Sequence, residues 1–389
     1  MKTVVGVFFG GKSVEHEVSI ISALQVMAAL NKEKYEVVPI YISKDTKFYY
    51  SDKLMEIENY KDLDQLITQA TEVYFLKEHH QMGIYNATSL FRKKIAGIDV
   101  AFPVVHGVNV EDGTLQGFLE MYQIPYVGSQ VGSSAIGMDK IAFKKVLEAS
   151  SFPVIEYMEV SRNEFEKDSK EILQKLEDKL GFPVILKPYN LGSSVGIEVV
   201  KEEKEFLAKM EQVFLFTDKI LIERCVTNLR EINCSVMGNA TKQEASILEE
   251  PIKADEILSF KDKYMSNGKG GMKNSKSSGM ASLLRKIPAE LEKEQEEEIT
   301  NLAIGVFKLL DCEGVSRIDF IIDVDQNKIY VNEINTIPGS LAFYLWEKKG
   351  ISFENLCDQL ISLAIKRQDQ RKNIIYSHDV NILNMTGKK

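Results

Sequence analysis

Two short segments flanking one turn constrain this chain most: Ser316-Arg317-Ile318-Asp319-Phe320-Ile321-Ile322-Asp323 and Lys328-Ile329-Tyr330-Val331-Asn332-Glu333-Ile334-Asn335. Polar and apolar residues alternate in both, so the pair is expected as a β-hairpin turning over Val324 to Asn327. Alternation puts Arg317 and Asp319 on one face of the first strand, and Glu333 and Asn335 on one face of the second. Two carboxylates and an amide converging from adjacent strands make an all-oxygen site suited to Mg²⁺, which keeps waters and takes phosphate oxygens as its other ligands. An arginine beside such a site can stabilise a developing anion. The same pattern also fits an exposed strand face with cross-strand polar pairs.

At 389 residues the chain exceeds a single core of usual size, so two or three domains are expected. Its hydrophobic share of 44% is that of a soluble globular protein. No apolar run of about 18 residues appears, and Met1-Lys2-Thr3 leads into a strand without a signal-peptide layout, so a cytoplasmic location is expected. A formal charge of −9 argues against a general nucleic-acid surface but leaves room for an anionic small molecule. Cys225, Cys234, Cys312 and Cys357 lack CxxC spacing and a nearby histidine, and read as reduced, partly buried thiols.

Val4 to Phe9, ended by Gly10-Gly11, reads as a buried strand and a tight turn. A helix from about Ser13 to Leu30 and a strand from Tyr35 to Ile42 complete a β-α-β unit, which implies a parallel sheet. Ile98 to Val105 gives another buried strand, ending in His106-Gly107. Residues 1–125 therefore read as a doubly wound α/β domain with ligands at the carboxyl ends of its strands. Residues 126–219 read as a small middle domain in which strands Pro183 to Pro188 and Gly196 to Val200 flank a glycine-serine loop. Residues 220–367 form a third region holding the hairpin, with Ile220 to Glu223 and Glu231 to Gly238 as its first strands and a last helix over Phe353 to Ile365. A polar tail covers 368–389. Met265 to Ser282, rich in Gly, Ser, Asn, Lys and Met, is either a plain insertion or a lid that orders over ligand.

Gly192-Ser193-Ser194-Val195-Gly196 follows Lys187 at a strand end. Small residues let backbone N–H groups approach phosphate oxygens, and a lysine adds a point charge. The spacing is neither a P-loop nor a dinucleotide turn, and a ligand-free hairpin explains it nearly as well. Glu223 and Glu231 bracket a strand crossing, where a carboxylate beside a purine slot can accept from ribose hydroxyls; two exposed acids beside a loop is the plainer reading. Glu15, at a helix start, can serve as a dipole partner or hold an ammonium. His106 has the same ambiguity.

These residues resemble, in order, the D-alanine–D-alanine ligases of the ATP-grasp superfamily. The resemblance rests on Gly10 to Ser19, His106-Gly107 with Glu111 to Gly117, Met138-Asp139-Lys140, Lys187-Pro188 with Gly192 to Gly196, Lys263-Tyr264, Arg317-Ile318-Asp319, and Glu333 to Thr336 with Pro338-Gly339. It runs from about residue 4 to 365. It implies an α/β protein with an ATP-grasp fold, two α+β subdomains clasping ATP behind the doubly wound domain. Lys140, Lys187 and Lys263, with Ser193 and Ser194 of the loop, would then bind ATP phosphates. Glu223 and the backbone of Cys225 and Val226 would hold adenine, and Glu231 the ribose. Asp319, Glu333 and Asn335 would hold two Mg²⁺ ions, or Mn²⁺ in their place. Glu15 would hold the first D-alanine's ammonium and bond with Ser193 and Tyr264, with His106 near that substrate. Arg317 and the Gly339 N–H would stabilise an oxyanion. Two D-alanines would be joined through an acyl phosphate for peptidoglycan precursor synthesis, and the lid reading of 265–282 gains weight because water must be excluded. Implied partners are small molecules, D-alanine and ATP, with no nucleic acid or membrane, in a homodimer.

The stretch after Gly339, Ser340-Leu341-Ala342-Phe343-Tyr344-Leu345-Trp346-Glu347, departs from the family's longer Met/Thr/Ser-rich segment, which carries a serine for the second substrate's carboxylate. Ser340 and Tyr344 are the candidates here. The alternative is a ligase joining D-alanine or another amino acid to a different acceptor, such as the D-serine or D-lactate used by relatives resembling the vancomycin-resistance ligases.

Overall fold

The computed structural model describes residues 2–252 and 285–376. The proposed lid, Lys263 and Tyr264 lie outside the described residues.

The first unit comprises β1 (Thr3–Gly10), α1 (His16–Ala29), β2 (Tyr35–Ile42), β3 (Phe48–Tyr50), α2 (Leu63–Thr68), β4 (Thr71–Glu78), β5 (Gln81–Asn86), β6 (Lys94–Ile98), β7 (Val100–Val105) and α3 (Thr114–Tyr122). Its sheet runs β6-β5-β4-β3-β2-β1-β7. The parallel part is confined to β2, β1 and β7, and the other pairings are antiparallel. The β-α-β expectation thus holds for the three strands whose carboxyl ends reach the site, while short hairpins extend the sheet on one side. β1 is buried from Val5 onward, as suits a strand covered on both faces.

Next come α4 (Val131–Met138), α5 (Lys140–Ala149), β8 (Tyr157–Ser161), α6 (Arg162–Lys167), α7 (Ser169–Lys179), β9 (Val184–Pro188), β10 (Glu198–Val200), α8 (Glu203–Phe214) and β11 (Lys219–Arg224). The central sheet has the order β10-β9-β11-β8. Ile220 to Glu223, expected to open the third region, instead sits here, because β11 bonds to both β8 and β9. Conversely, Phe143 and Leu147 of α5 join the apolar core of the third sheet.

That sheet is built from β12 (Leu229–Gly238), β13 (Gln243–Ala245), β16 (Gly314–Asp323) and β17 (Lys328–Asn335), ordered β13-β12-β16-β17. Between them lie a two-stranded ribbon of β14 (Glu250–Pro251) and β15 (Arg285–Lys286), and the helix α9 (Lys293–Leu309). The chain continues through α10 (Phe343–Lys348) and α11 (Phe353–Arg371). Leu356, Leu360 and Ile361 of α11 share the core of the first unit, so the C-terminal helix ties the two ends of the chain together. The helix runs past Ile365, where Arg367 donates to Gly128 O and Tyr126 O, and it makes the start of the expected tail structural through Arg371, which pairs with Glu120. All four cysteines are free, three of them buried. Among the described residues no helix is long and apolar enough to cross a membrane.

Candidate active site

The hairpin forms as its alternation requires. β16 and β17 pair antiparallel with Arg317 opposite Asn335 and Asp319 opposite Glu333. A register shift after Asp319 leaves Asn332 as an extra residue before Val331 pairs with Phe320. Arg317 donates to both oxygens of Asp319, each at 2.7 Å, and Asn335 Nδ2 donates to Asp319 Oδ2 at 3.2 Å. Burial pushes the Asp319 carboxyl above its ordinary range; the Arg317 charge opposes this, and Glu333 and Glu249 reinforce it. Asp319, half-buried Glu333 and the Asn335 carbonyl are oxygen donors at neighbouring places of the hairpin, the donor chemistry a hard cation takes.

One cleft brings together residues far apart in sequence. Glu15, Glu111, Lys140, Ser193, Glu333 and Asn335 all line it. Glu15 caps α1, and the Ser193 hydroxyl donates to Glu15 Oε1, joining the first β-α turn to the glycine-serine loop. Two glycines make this approach possible. A Cβ on Gly192 would lie 2.7 Å from Glu15 Oε2, and one on Gly107, at φ +83°, would lie 2.3 Å from Ser13 Oγ. Ser193 and Ser194 themselves adopt left-handed φ of 54° and 59°. Lys140 Nζ donates to Leu191 O at 2.7 Å and stands 3.7 Å from Glu333 Oε2, bridging loop and hairpin.

A second group lies between the central and third sheets. Glu223, 1% exposed, sits between Lys187 and Lys144, the latter 2.6 Å from Glu223 Oε1. Burial would raise the Glu223 carboxyl, but the two lysines outweigh it and hold it down at about 2. Val226 lies in a small buried apolar cluster with Ile155, Ile321 and Tyr330. The Cys225 N–H is already donated to Pro183 O. Glu231 lies next to this cluster, opposite Ile321 in the β12–β16 ladder.

His106 lies beneath the cleft, 3% exposed, 2.9 Å from Ile337 O through Nδ1 and 3.0 Å from Ser22 Oγ through Nε2. A carbonyl only accepts, so Nδ1 carries the proton and the neutral ring accepts from Ser22, whose oxygen takes the Ser340 N–H at 2.9 Å. Burial, aided by the Arg317 charge, lowers His106 to about 4. Glu111 accepts from Gly107 N and Ile337 N and is pushed up to about 8 by burial and the nearby Glu15 charge.

The segment that departs from the family is backbone-strained. Ser340, Leu341 and Ala342 have φ of 54°, 52° and 50°, three consecutive left-handed residues without a glycine. Ser340 is 1% exposed and its hydroxyl has no hydrogen-bond partner among the described residues. The Tyr344 hydroxyl, expected at the second substrate, donates to buried Glu249 at 3.0 Å, and Arg285 lies 4.1 Å over its ring and pairs with the same carboxylate. Tyr344 thus belongs to a buried charge cluster whose hydroxyl is already engaged.

Sequence reasoning overlooked Lys144, Glu249 and Arg285, and placed Glu111 within a motif without giving it a role of its own. Lys144 left a trace, since it interrupts the buried helical stripe Ile141, Phe143 and Leu147 with a charge. Glu249 and Arg285 left none, because they flank a segment of low complexity.

Comparison with known proteins leads to the family that the order of motifs resembles. Residues 4–129 match the family model described as D-ala D-ala ligase N-terminus, and residues 146–362 match D-ala D-ala ligase C-terminus. A D-alanine--D-alanine ligase of Thermosipho melanesiensis is 39% identical over 97% of this chain and 98% of its own length. One from Caldicellulosiruptor bescii is 40% identical over 97% and 99%. Among solved structures, the D-alanine-D-alanine ligase from Coxiella burnetii aligns with a TM-score of 0.77 at 31% identity, covering 95% of this chain and 96% of that one. A D-Ala:D-Ser ligase from Enterococcus faecalis aligns at 0.76 and 28% identity, covering 94% and 100%. The chain belongs to the D-alanine–D-alanine ligase family and has its ATP-grasp fold.

Proposed function

We propose that the protein joins two D-alanines into D-alanyl-D-alanine at the expense of ATP, supplying peptidoglycan precursor synthesis from the cytoplasm. The observation that carries this reading is the Ser193–Glu15 hydrogen bond, which seals the amino-acid corner against the glycine-serine loop.

In this reading Lys140, Lys187, Ser193 and Ser194 hold the ATP phosphates, together with Lys263 from outside the described residues. Glu223, with the backbone of Cys225 and Val226, holds adenine and keeps Lys144 and Lys187 in place beneath it, and Glu231 takes the ribose. Asp319, Glu333 and Asn335 would hold two Mg²⁺ ions, which when bound neutralise phosphate charge. Glu15 receives the first D-alanine's ammonium, over the floor made by His106. The γ-phosphoryl passes to that substrate's carboxylate, giving a mixed anhydride whose leaving group is phosphate instead of oxide. The amine of the second D-alanine attacks, and the tetrahedral anion meets Arg317 and the Gly339 N–H. Phosphate departs and the dipeptide remains. Tyr264, with Glu15 and Ser193, completes the proposed closure.

The test is product analysis with ATP, Mg²⁺ or Mn²⁺, and a panel of D- and L-amino acids plus D-lactate. D-alanyl-D-alanine with stoichiometric ADP is expected. Products only from L-amino acids would overturn the reading, and preference for D-serine or D-lactate as acceptor would narrow it to the first substrate. Light scattering tests the accompanying proposal of a homodimer.

A further inference from the structure

We infer that Lys144 is a positioning residue for nucleotide binding: it neutralises Glu223 so that the charge of Lys187 stays available to phosphate. The inference rests on the reading of Lys187 as a phosphate ligand.

A continuous chain of polar groups supports it. Lys144 in α5 is 1% exposed, donates to Ile155 O at 3.1 Å, and lies 5.2 Å from the centre of the Tyr157 ring. Its ammonium is 2.6 Å from Glu223 Oε1, a buried ion pair that helps hold the carboxylate ionised. The other Glu223 oxygen holds Lys187, whose Nζ also reaches Asn332 Oδ1 at 3.3 Å. Asn332 is the extra residue of β17, directly before Glu333. The chain Lys144–Glu223–Lys187–Asn332 therefore crosses from α5 through the central sheet to the hairpin that carries the acids.

Charge counting gives the consequence. Burial and the Lys187 charge push the Lys144 ammonium below its ordinary value while Glu223 opposes the shift; with Lys144 protonated, one buried carboxylate between two ammonium groups leaves the triad with net positive charge. Without Lys144, Glu223 and Lys187 would form a neutral buried pair, and an incoming phosphate would have to break it. Such a pair resists separation because each partner, left alone, is a buried uncompensated charge. The surplus ammonium removes that competition.

ADP binding by calorimetry tests this without requiring turnover. Lys144→Met should weaken ADP binding by about tenfold or more, the scale of one lost hydrogen bond to a charged group. The KM of the first amino acid should stay within about twofold, because Lys144 does not line the cleft that holds Glu15. The deciding arm is Lys144→Met combined with Glu223→Gln, compared with Lys144→Met alone. Removing the carboxylate frees Lys187 again, so the double variant should bind ADP more tightly than Lys144→Met. A purely structural role predicts the reverse, further loss on the second change. Lys144→Gln, which can still donate to Ile155 O, replaces the Met variant if that one does not fold. Wild-type affinity in the uncharged variants, or no recovery in the double, overturns the inference. Failure of the wild type to bind ADP would instead overturn the nucleotide reading itself.

Discussion

Acidification should unlatch the floor of the cleft through His106. Its ordinary value of 6.5 falls to about 4 in the fold, by burial and by the charge of Arg317. A lowered value means that the folded state refuses a proton the unfolded chain accepts. The stabilising contribution is therefore full above pH 6.5 and is lost as pH falls toward 4. At about 1.36 kcal/mol per unit, the loss is roughly 2 kcal/mol at pH 5 and about 3 kcal/mol once the folded value is reached. The site gives the reason: protonation would put a second N–H on Nε2, facing the Ser22 hydroxyl that holds the Ser340 N–H. Glu111 titrates in the opposite sense over part of this range, because its raised value makes the folded state keep a proton between 4.5 and about 8. The difference between wild type and His106→Gln therefore isolates the histidine. Glutamine can donate to Ile337 O and accept from Ser22 without titrating. Urea unfolding at pH 7.5 and pH 5 should show wild type losing about 2 kcal/mol more than His106→Gln. Curves that stay parallel within about 0.5 kcal/mol would refute the burial argument.

Arg317→Ala should lower kcat by about two orders of magnitude or more with little change in ADP affinity, since the charge it meets is greatest in the tetrahedral anion; equal losses in both would contradict that role. Glu15→Gln should raise the KM of the first amino acid and leave the nucleotide Kd near wild type, and an unchanged KM counts against the assignment. Ser340→Gly should stabilise the fold by about 1 kcal/mol, because it relieves a left-handed residue and removes an unpartnered hydroxyl. If Ser340 contacts the second substrate, the same change raises that substrate's KM, which steady-state kinetics reads separately from the first.

The placement of many candidate-site residues was legible because they sit at strand ends and within alternating strands. The hairpin's acids, Lys187 before its loop, and Glu15 after Gly10-Gly11 follow from local periodicity and turn chemistry. The residues that were missed, or left without a role of their own, act across the fold. Glu111 matters because its carboxylate reaches Ile337 N, 226 positions away, and Lys144 because it meets Glu223 inside the central sheet. No local pattern carries such contacts. The misplacement of β11 has a similar origin: an apolar strand does not say which sheet completes it, and hydrogen bonding to β8 and β9 decides.

By itself, the sequence determined the strand pairing of 316–335, which side chains share its face, and the order of motifs that marks the family. Alternation and turn residues are local, and local sterics suffice to set them. Only the tertiary structure decided the states of those side chains: a neutral His106, a Glu223 clasped by two lysines, and a left-handed turn at Ser340 held by Ser22. Burial sets the cost of charge and strain, and burial exists only once the three sheets have come together.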